Sequence, residues 1–348
     1  MRNTYSKNIF YIGVLLTILL VFTSCNKESN EAVDGSNETW EVLAILSPNG
    51  LGDLGYNDNV FYGLCLMRDS LNCRVETFAP DNFTDIESKV KDWVLLPSKA
   101  NVHRLLVLCD SKCVDLVKKH GWANAENKDI LLFDTYETSL PVYTRATLLY
   151  GASYVIGRTS GKYCKSVGKH AALFVANNED WAVREGAAGY LEGAKEEGAV
   201  VDTYYLYDEE SRGYNMPDSA YHLCYEIAPT TGFVMPLAGS SNNGVYRYGR
   251  DAAKNTIFTC SVDEFDFSSV SFQSCWITMD IGSYLLDFAK KWRAGTEQPL
   301  HSLAGLGSGY VMFGITNLGS ENGFDYAFLD MKEKVIEKET QRYAGSIL

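Results

Sequence analysis

The chain has 348 residues, 46 % apolar and 22 % charged, with 44 acidic against 31 basic side chains and a formal net charge of −13. That acidity excludes nucleic acid and an anionic membrane surface as the main partner. The length exceeds what one compact core holds, so two lobes are expected.

The amino terminus opens with a positive stretch holding Arg2 and Lys7, then an uncharged apolar run over residues 9–22, IFYIGVLLTILLVF. A membrane span needs roughly 20 apolar residues, so this shorter run reads as a signal-peptide core. It ends in Val21-Phe22-Thr23-Ser24-Cys25, which resembles the lipobox of bacterial lipoproteins. The resemblance implies cleavage before Cys25 and acylation of that residue, with two or three chains giving a stable anchor where one gives a marginal one. Residues 1–24 are then a lipoprotein signal peptide, and residues 25–39, polar in NKESNEAVDGSNE, a flexible tether. The expected location is the cell envelope, outside the cytoplasm, with the membrane touched through the lipid alone.

Beyond the tether, strand-like and helix-like stretches alternate. Residues 41–47, 74–78, 102–109 and 129–134 read as strands, with a helix over 58–71 and another opened by the capping box Thr84-Asp85-Ile86-Glu87. Residues 148–167 read as a helix, 170–176 as a strand, and 181–197 as a helix capped by Asp180 and stopped by Gly198. Strands follow over 201–207, 232–237 and 256–262, then a long helix over 275–292, a hairpin of 310–316 with 324–329, and a charged helix. Repeated βα units imply parallel sheets covered on both faces, and ligands in such folds lie beyond the carboxyl ends of the strands.

Motifs for catalysis or cofactors fail on inspection. Gly50, Gly52 and Gly55 match G-x-G-x-x-G, but Ser47-Pro48-Asn49 separate them from the strand and the acidic Glu76 lies inside the next one. The segment GRTSGKY over 157–163 lacks the first Gly and the Ser/Thr of a phosphate loop. The five histidines are scattered, and Cys109 and Cys113, spaced C-x3-C, have no matching pair for zinc. No cofactor and no metal are expected, and the reading is of a non-enzyme. The eight cysteines besides Cys25 fall mostly in apolar runs, so few or no disulfides are expected.

One resemblance spans residues 41 to about 319. Asp53-Leu54-Gly55-Tyr56-Asn57-Asp58 running into Phe61-Tyr62-Gly63-Leu64, then ILLFD ending at Asp134, GAAGYLEGAK over 186–195, AGSSNNGV over 238–245, Val262-Asp263, and Ser274 with Asp280 follow one another in the order of a known pattern. Together they resemble the basic membrane protein (BMP) family, the PnrA-like substrate-binding lipoproteins of ABC transporters. The resemblance implies a type I periplasmic-binding-protein fold, α/β, with two doubly wound parallel-sheet lobes joined by a hinge: 40–143 plus 263–305 in the first, 144–262 plus 306–348 in the second. It implies a ligand, best matched by a nucleoside or another small polar metabolite, delivered to a membrane permease and ATPase. By position, Tyr56 stacks on a base, Asn57 supplies an amide, Asp53, Asp134 and Asp263 are acidic positions near the ligand, and Gly239 and Ser240 face the cleft. Trp181 is added from its position alone as an opposing wall. Three positions depart from the family: its Lys falls on Ile277, a Glu falls on Arg145, and Ser240-Ser241-Asn242 replace Gly-Thr-Gly. A ligand-sensing or surface-capture lipoprotein of the same fold is the alternative, and a hydrolase a weaker one.

Overall fold

The computed structural model describes residues 38–48, 50–53, 55–207, 212–252, 257–263 and 272–344. A unit of Met1–Glu38 separates from the body Thr39–Leu348. The signal peptide, Cys25 and the tether up to residue 37 lie outside the described residues.

The body runs β1 (Thr39–Ile45), α1 (Tyr56–Leu71), β2 (Arg74–Phe78), α2 (Phe83–Leu95), β3 (Val102–Leu108), α3 (Cys113–His120), β4 (Lys128–Phe133) and β5 (Tyr143–Thr147). It continues through α4 (Tyr150–Ser166), β6 (His170–Val175), α5 (Trp181–Glu196), β7 (Val201–Tyr205), α6 (Pro217–Ile227), β8 (Thr231–Leu237), α7 (Asn242–Asp251) and β9 (Phe258–Val262). The last part is β10 (Gln273–Met279), α8 (Ile281–Arg293), β11 (His301–Ala304), β12 (Val311–Ile315), α9 (Asn317–Glu321) and α10 (Phe328–Tyr343). Two six-stranded sheets result, in the orders β11-β5-β4-β3-β1-β2 and β12-β10-β9-β8-β6-β7. Pairing is parallel except for β12, which runs antiparallel to β10.

Alternation along β1 shows how each sheet is covered. Leu43 and Ile45 pack with Ile86, Val90 and Trp93 of α2, while Val42, Ala44 and Leu46 pack with Val60, Leu64 and Met67 of α1. Successive strand side chains point to opposite faces, so an unbroken apolar strand is buried on both, at roughly 1.5–3 kcal/mol per large side chain. Helix α2 starts one residue before the expected box: Asn82 is the cap, its Oδ1 accepting from Asp85 N at 3.1 Å.

Glycines set the closest helix contact. A Cβ on Gly189 would run into the Tyr150 carbonyl oxygen, and one on Gly193 into that of Tyr154. The GAAGYLEGAK run is therefore a packing face for α5 on α4. Gly157, first of the phosphate-loop look-alike, meets Tyr190 in the same way.

Two expected elements are corrected. Residues 273–279 form β10, not the start of a long helix, because a segment paired on both edges and buried on both faces carries no alternation to distinguish it. Residues 324–329 form no hairpin strand: Phe324–Ala327 is a 3-10 turn leading into α10. Phe324 is fully buried and stacks on Tyr163 at 4.8 Å, which accounts for the apolar pattern there.

The chain exchanges sheets at Leu148-Leu149 between β5 and α4, at Asp280 between β10 and α8, and through residues 305–310 between β11 and β12. The expected lobe limits at 143 and 263 therefore move. Strand β5 belongs to the first sheet, beside β4, and β10 belongs to the second, beside β9. Among the described residues no helix is long and apolar enough to cross a membrane. All eight cysteines there are unpaired.

Candidate functional site

A cavity of about 120 Å³ opens where the carboxyl ends of the two sheets face each other. A buried water occupies roughly 10–15 Å³ by the same measure, so the space suits a small molecule. The first sheet contributes Ser47 after β1, Asp53 and Tyr56 at the start of α1, Cys109-Asp110-Ser111 after β3, and Asp134 after β4. The second contributes Asp180, Ala182 and Val183 around the start of α5, and Arg212 and Tyr214 after β7. Gly239, Ser240 and Asn242 follow β8, and Val262-Asp263 and Met279 close the floor.

The aspartates differ in what holds them. Asp53 caps α1: its Oδ2 accepts from Asn57 N at 2.8 Å and its Oδ1 from Gly55 N at 3.0 Å. Burial still raises its pKa against those N–H groups. Asp134 accepts from the Thr147 hydroxyl at 2.5 Å and is raised by burial, against the pull of Thr147 and Arg145. Among the described residues Asp263 accepts from Met279 N, at 3.3 Å. Burial, with the charges of Asp53 and Asp134 added, pushes it up to about 8 despite the Met279 N–H. Asp134 and Asp263 also carry left-handed backbone, φ 52° and 63°. Side-chain carboxylates tolerate that region better than most groups, and such strain gathers at functional sites.

Tyr56 stands beside Asp134, its phenol raised well above the usual value by burial and by the Asp134 charge. Behind them lies Arg145, fully buried. Its guanidinium carbon is 4.2 Å from the Tyr284 ring centre and 5.2 Å from that of Phe133. Its nitrogens have no hydrogen-bond partner among the described residues. Burial lowers its pKa, and the neighbouring Tyr284, Asp134 and Tyr56 oppose that.

At the other end a polar cluster joins the lobes. Arg212 donates to Asp180 Oδ1 at 2.7 Å and to Asp110 Oδ1 at 3.3 Å. Tyr214 donates to Asp180 Oδ2 at 2.7 Å, and the Ser111 hydroxyl donates to Asp180 across the cleft. Burial raises Asp110 to about 6, against the pull of Arg212. Burial also works on Asp180, but Arg212 and the surrounding donors outweigh it and hold that pKa below its ordinary value.

Six of the eight expected ligand residues line the cavity: Asp53, Tyr56, Asp134, Gly239, Ser240 and Asp263. Asn57 and Trp181 do not. Asn57 is spent on the turn after β1, its Nδ2 donating to Ser47 Oγ at 2.9 Å. Trp181 stacks on Tyr136 at 5.3 Å and tilts against Tyr343, away from the cleft. Asp110, Ser111, Asp180, Arg212 and Tyr214 were missed. Asp110 follows a strand end, so the strand-end rule reaches it. Asp180 reads in sequence as a helix cap, yet it makes no side-chain cap bond. Arg212 carries no sequence signal. Among the described residues no group of three or more His, Cys, Asp or Glu side chains is placed to hold a metal.

The sequence matches no family model and no curated protein. Solved structures do match. An ABC-transporter solute-binding protein from Aeropyrum pernix superimposes with a TM-score of 0.66 at 16 % identity, over 89 % of this chain and 87 % of its own. An ABC-transporter solute-binding protein from Agrobacterium vitis, with allitol bound, gives 0.57 at 10 % identity, over 80 % and 97 %. A transcriptional activator of the comK gene from Bacillus halodurans gives 0.58 at 14 %, over 88 % and 97 %. At these identities the likeness establishes the fold: the two-lobed α/β architecture of type I periplasmic binding proteins.

Proposed function

We propose that this chain is a lipid-anchored solute-binding protein that captures a small polar ligand, best matched by a nucleoside, and hands it to an ABC-type transporter. The observation that carries the reading is the cavity between the carboxyl ends of the two sheets, with an aromatic ring on one wall and carboxylates from both lobes around it. Tyr56 offers a flat face for a base or a sugar ring. Asp134 keeps acceptor capacity beyond its Thr147 bond, and a carboxylate taking hydroxyl donors fixes orientation as well as affinity, while Asp263, raised to about 8, meets a ligand near neutral pH as a carboxyl that both donates and accepts. The lining places five aspartates against Arg212 alone among its described residues, and Arg212 is already paired. A ligand bearing phosphate or carboxylate therefore meets repulsion, whereas a neutral, hydroxyl-rich one meets acceptors. The solute-binding proteins that share the fold support capture over catalysis. Anchoring rests on the lipobox at Cys25.

The test is a thermal-shift screen of the purified full chain against nucleosides, sugars, polyols and amino acids. A ligand that binds only the folded state stabilises it by about 2.7 kcal/mol at a hundredfold excess over its Kd. Purine nucleosides are expected to raise Tm, and Tyr56→Ala to abolish the rise. A shift from polyols with none from nucleosides overturns the ligand. No shift from any class overturns solute capture itself.

A further inference from the structure

The Asp110–Asp180 end of the cavity is already occupied by the protein's own guanidinium. Arg212 is buried between two carboxylates, its side chain 5 % exposed and theirs 9 %. One carboxylate comes from each lobe. Around them Ser111 and Tyr214 supply hydroxyl donors to Asp180. The Asn177 amide donates to Asp180 Oδ2 at 2.9 Å and to the Arg212 carbonyl at 3.1 Å. The two terminal nitrogens of Arg212 are engaged while its Nε has no partner among the described residues, so the carboxylates form a receptor for a planar, doubly donating cation.

The backbone is shaped to fill it. Arg212 has φ 55°, a left-handed conformation uncommon for a long side chain. Gly213 follows at φ 82°, and a Cβ there would strike the Ala176 carbonyl oxygen. A surface ion pair needs no such turn and contributes little. A buried one loses hydration on both partners, so strain added to desolvation marks a part placed for use.

We propose that Arg212 is a specificity-determining residue: it plugs the Asp110–Asp180 subsite from within, excludes guanidinium and ammonium solutes from that end, and confines the ligand to the Tyr56–Asp134–Asp263 end. This rests on the reading of the cleft as a solute site. Removing the plug converts an acidic, two-lobed pocket into a receptor for small cations.

The experiment uses the full chain with Arg212→Gly, a substitution that suits the positive φ, and methylguanidine as probe. Wild type is expected to show no stabilisation by millimolar methylguanidine. Arg212→Gly is expected to lose Tm and regain roughly 4 °C near a hundredfold excess over its Kd. Adding Asp180→Asn to that variant should remove the response. Arg212→Gln, which keeps bulk and a donor without the charge, covers the case in which the glycine variant does not accumulate folded. It is expected to respond more than wild type and less than the glycine variant. If neither variant responds beyond wild type, the plug is overturned. A response there, with no natural solute shifting wild type, leaves the plug standing and removes the solute reading instead.

Discussion

Asp263 is where charge, backbone and site meet in one residue. Its pKa is pushed up to about 8 by burial, with the charges of Asp53 and Asp134 added. A carboxyl raised in the folded state binds its proton more tightly there than in the unfolded chain. Its stabilising share is therefore complete below the unfolded value near 3.8 and lost as pH rises through about 8. Asp263→Asn removes the ionising group and keeps a side chain that tolerates φ 63°. The variant is expected to gain Tm relative to wild type progressively from pH 4 to pH 8.5. Above pH 8, where the wild-type carboxyl is ionised, it should also bind the ligand roughly tenfold or more weakly, having lost a charged acceptor. A variant that stays level with wild type at every pH would show that burial of this carboxyl is not costly. At this scale the sequence led to Asp53, Asp134 and Asp263 because strand ends and motif order coincide there. Asn57 lies outside the cavity lining for a geometric reason: the next residue in a helix points about 100° away, so when Tyr56 faces the cleft, Asn57 faces Ser47. The Arg212 cluster joins residues about a hundred positions apart, and no local pattern announces it.

The elements were legible wherever one face differed from the other, and illegible where nothing did. Strand β2 read at its true limits because Asn72, the left-handed cap that ends α1, and Pro80 stand close on either side of it. Strand β10, QSCWITM, has apolar neighbours on both faces, and its continuation into α8 merged two elements into one apparent helix. The true break is Asp280, whose carboxylate accepts from Ser283 N at 3.0 Å and starts α8. The carboxyl-terminal helix α10 holds a second consequence. Glu339 on it is buried and accepts from Gly151 N at 2.8 Å and from Leu306 N at 2.9 Å. Leu306 lies in one of the segments that exchange the chain between sheets, and Gly151 lies in the first turn of α4, just past another. Burial raises Glu339 to about 7 in spite of both bonds. The sign is that of Asp263: stability present below the unfolded value near 4.5 is lost as pH rises through about 7. Glu339→Gln cannot ionise, but its amide keeps one acceptor where the carboxylate has two, so one N–H is left unpaired. The variant should be less stable than wild type at pH 5 by about 1–3 kcal/mol, with a flatter decline from pH 5 to 8.5 in scanning calorimetry. Parallel curves for the two proteins would remove Glu339 as a source of the slope.

At the scale of the whole molecule the fold alone leaves the duty open, because the architecture serves solute-binding proteins and a transcriptional activator alike. Two features of the sequence separate those duties. A net charge of −13 opposes binding to a polyanion. Under the proposed function, the apolar run of residues 9–22, followed three residues on by Cys25, directs the chain outward, where a receptor meets its solute before the transporter does. Anchoring then depends on the thiol of one residue. In cells fed radiolabelled palmitate, the wild-type chain is expected to carry label and to sediment with membranes. Cys25→Ser is expected to lose both properties while keeping the solute-dependent rise in Tm, since the substitution touches no residue of the cleft. Label or sedimentation that survives the substitution would place the anchor elsewhere and break the link between the amino terminus and the site. Loss of the thermal shift along with the label would show that the amino-terminal unit is needed for the cleft to form.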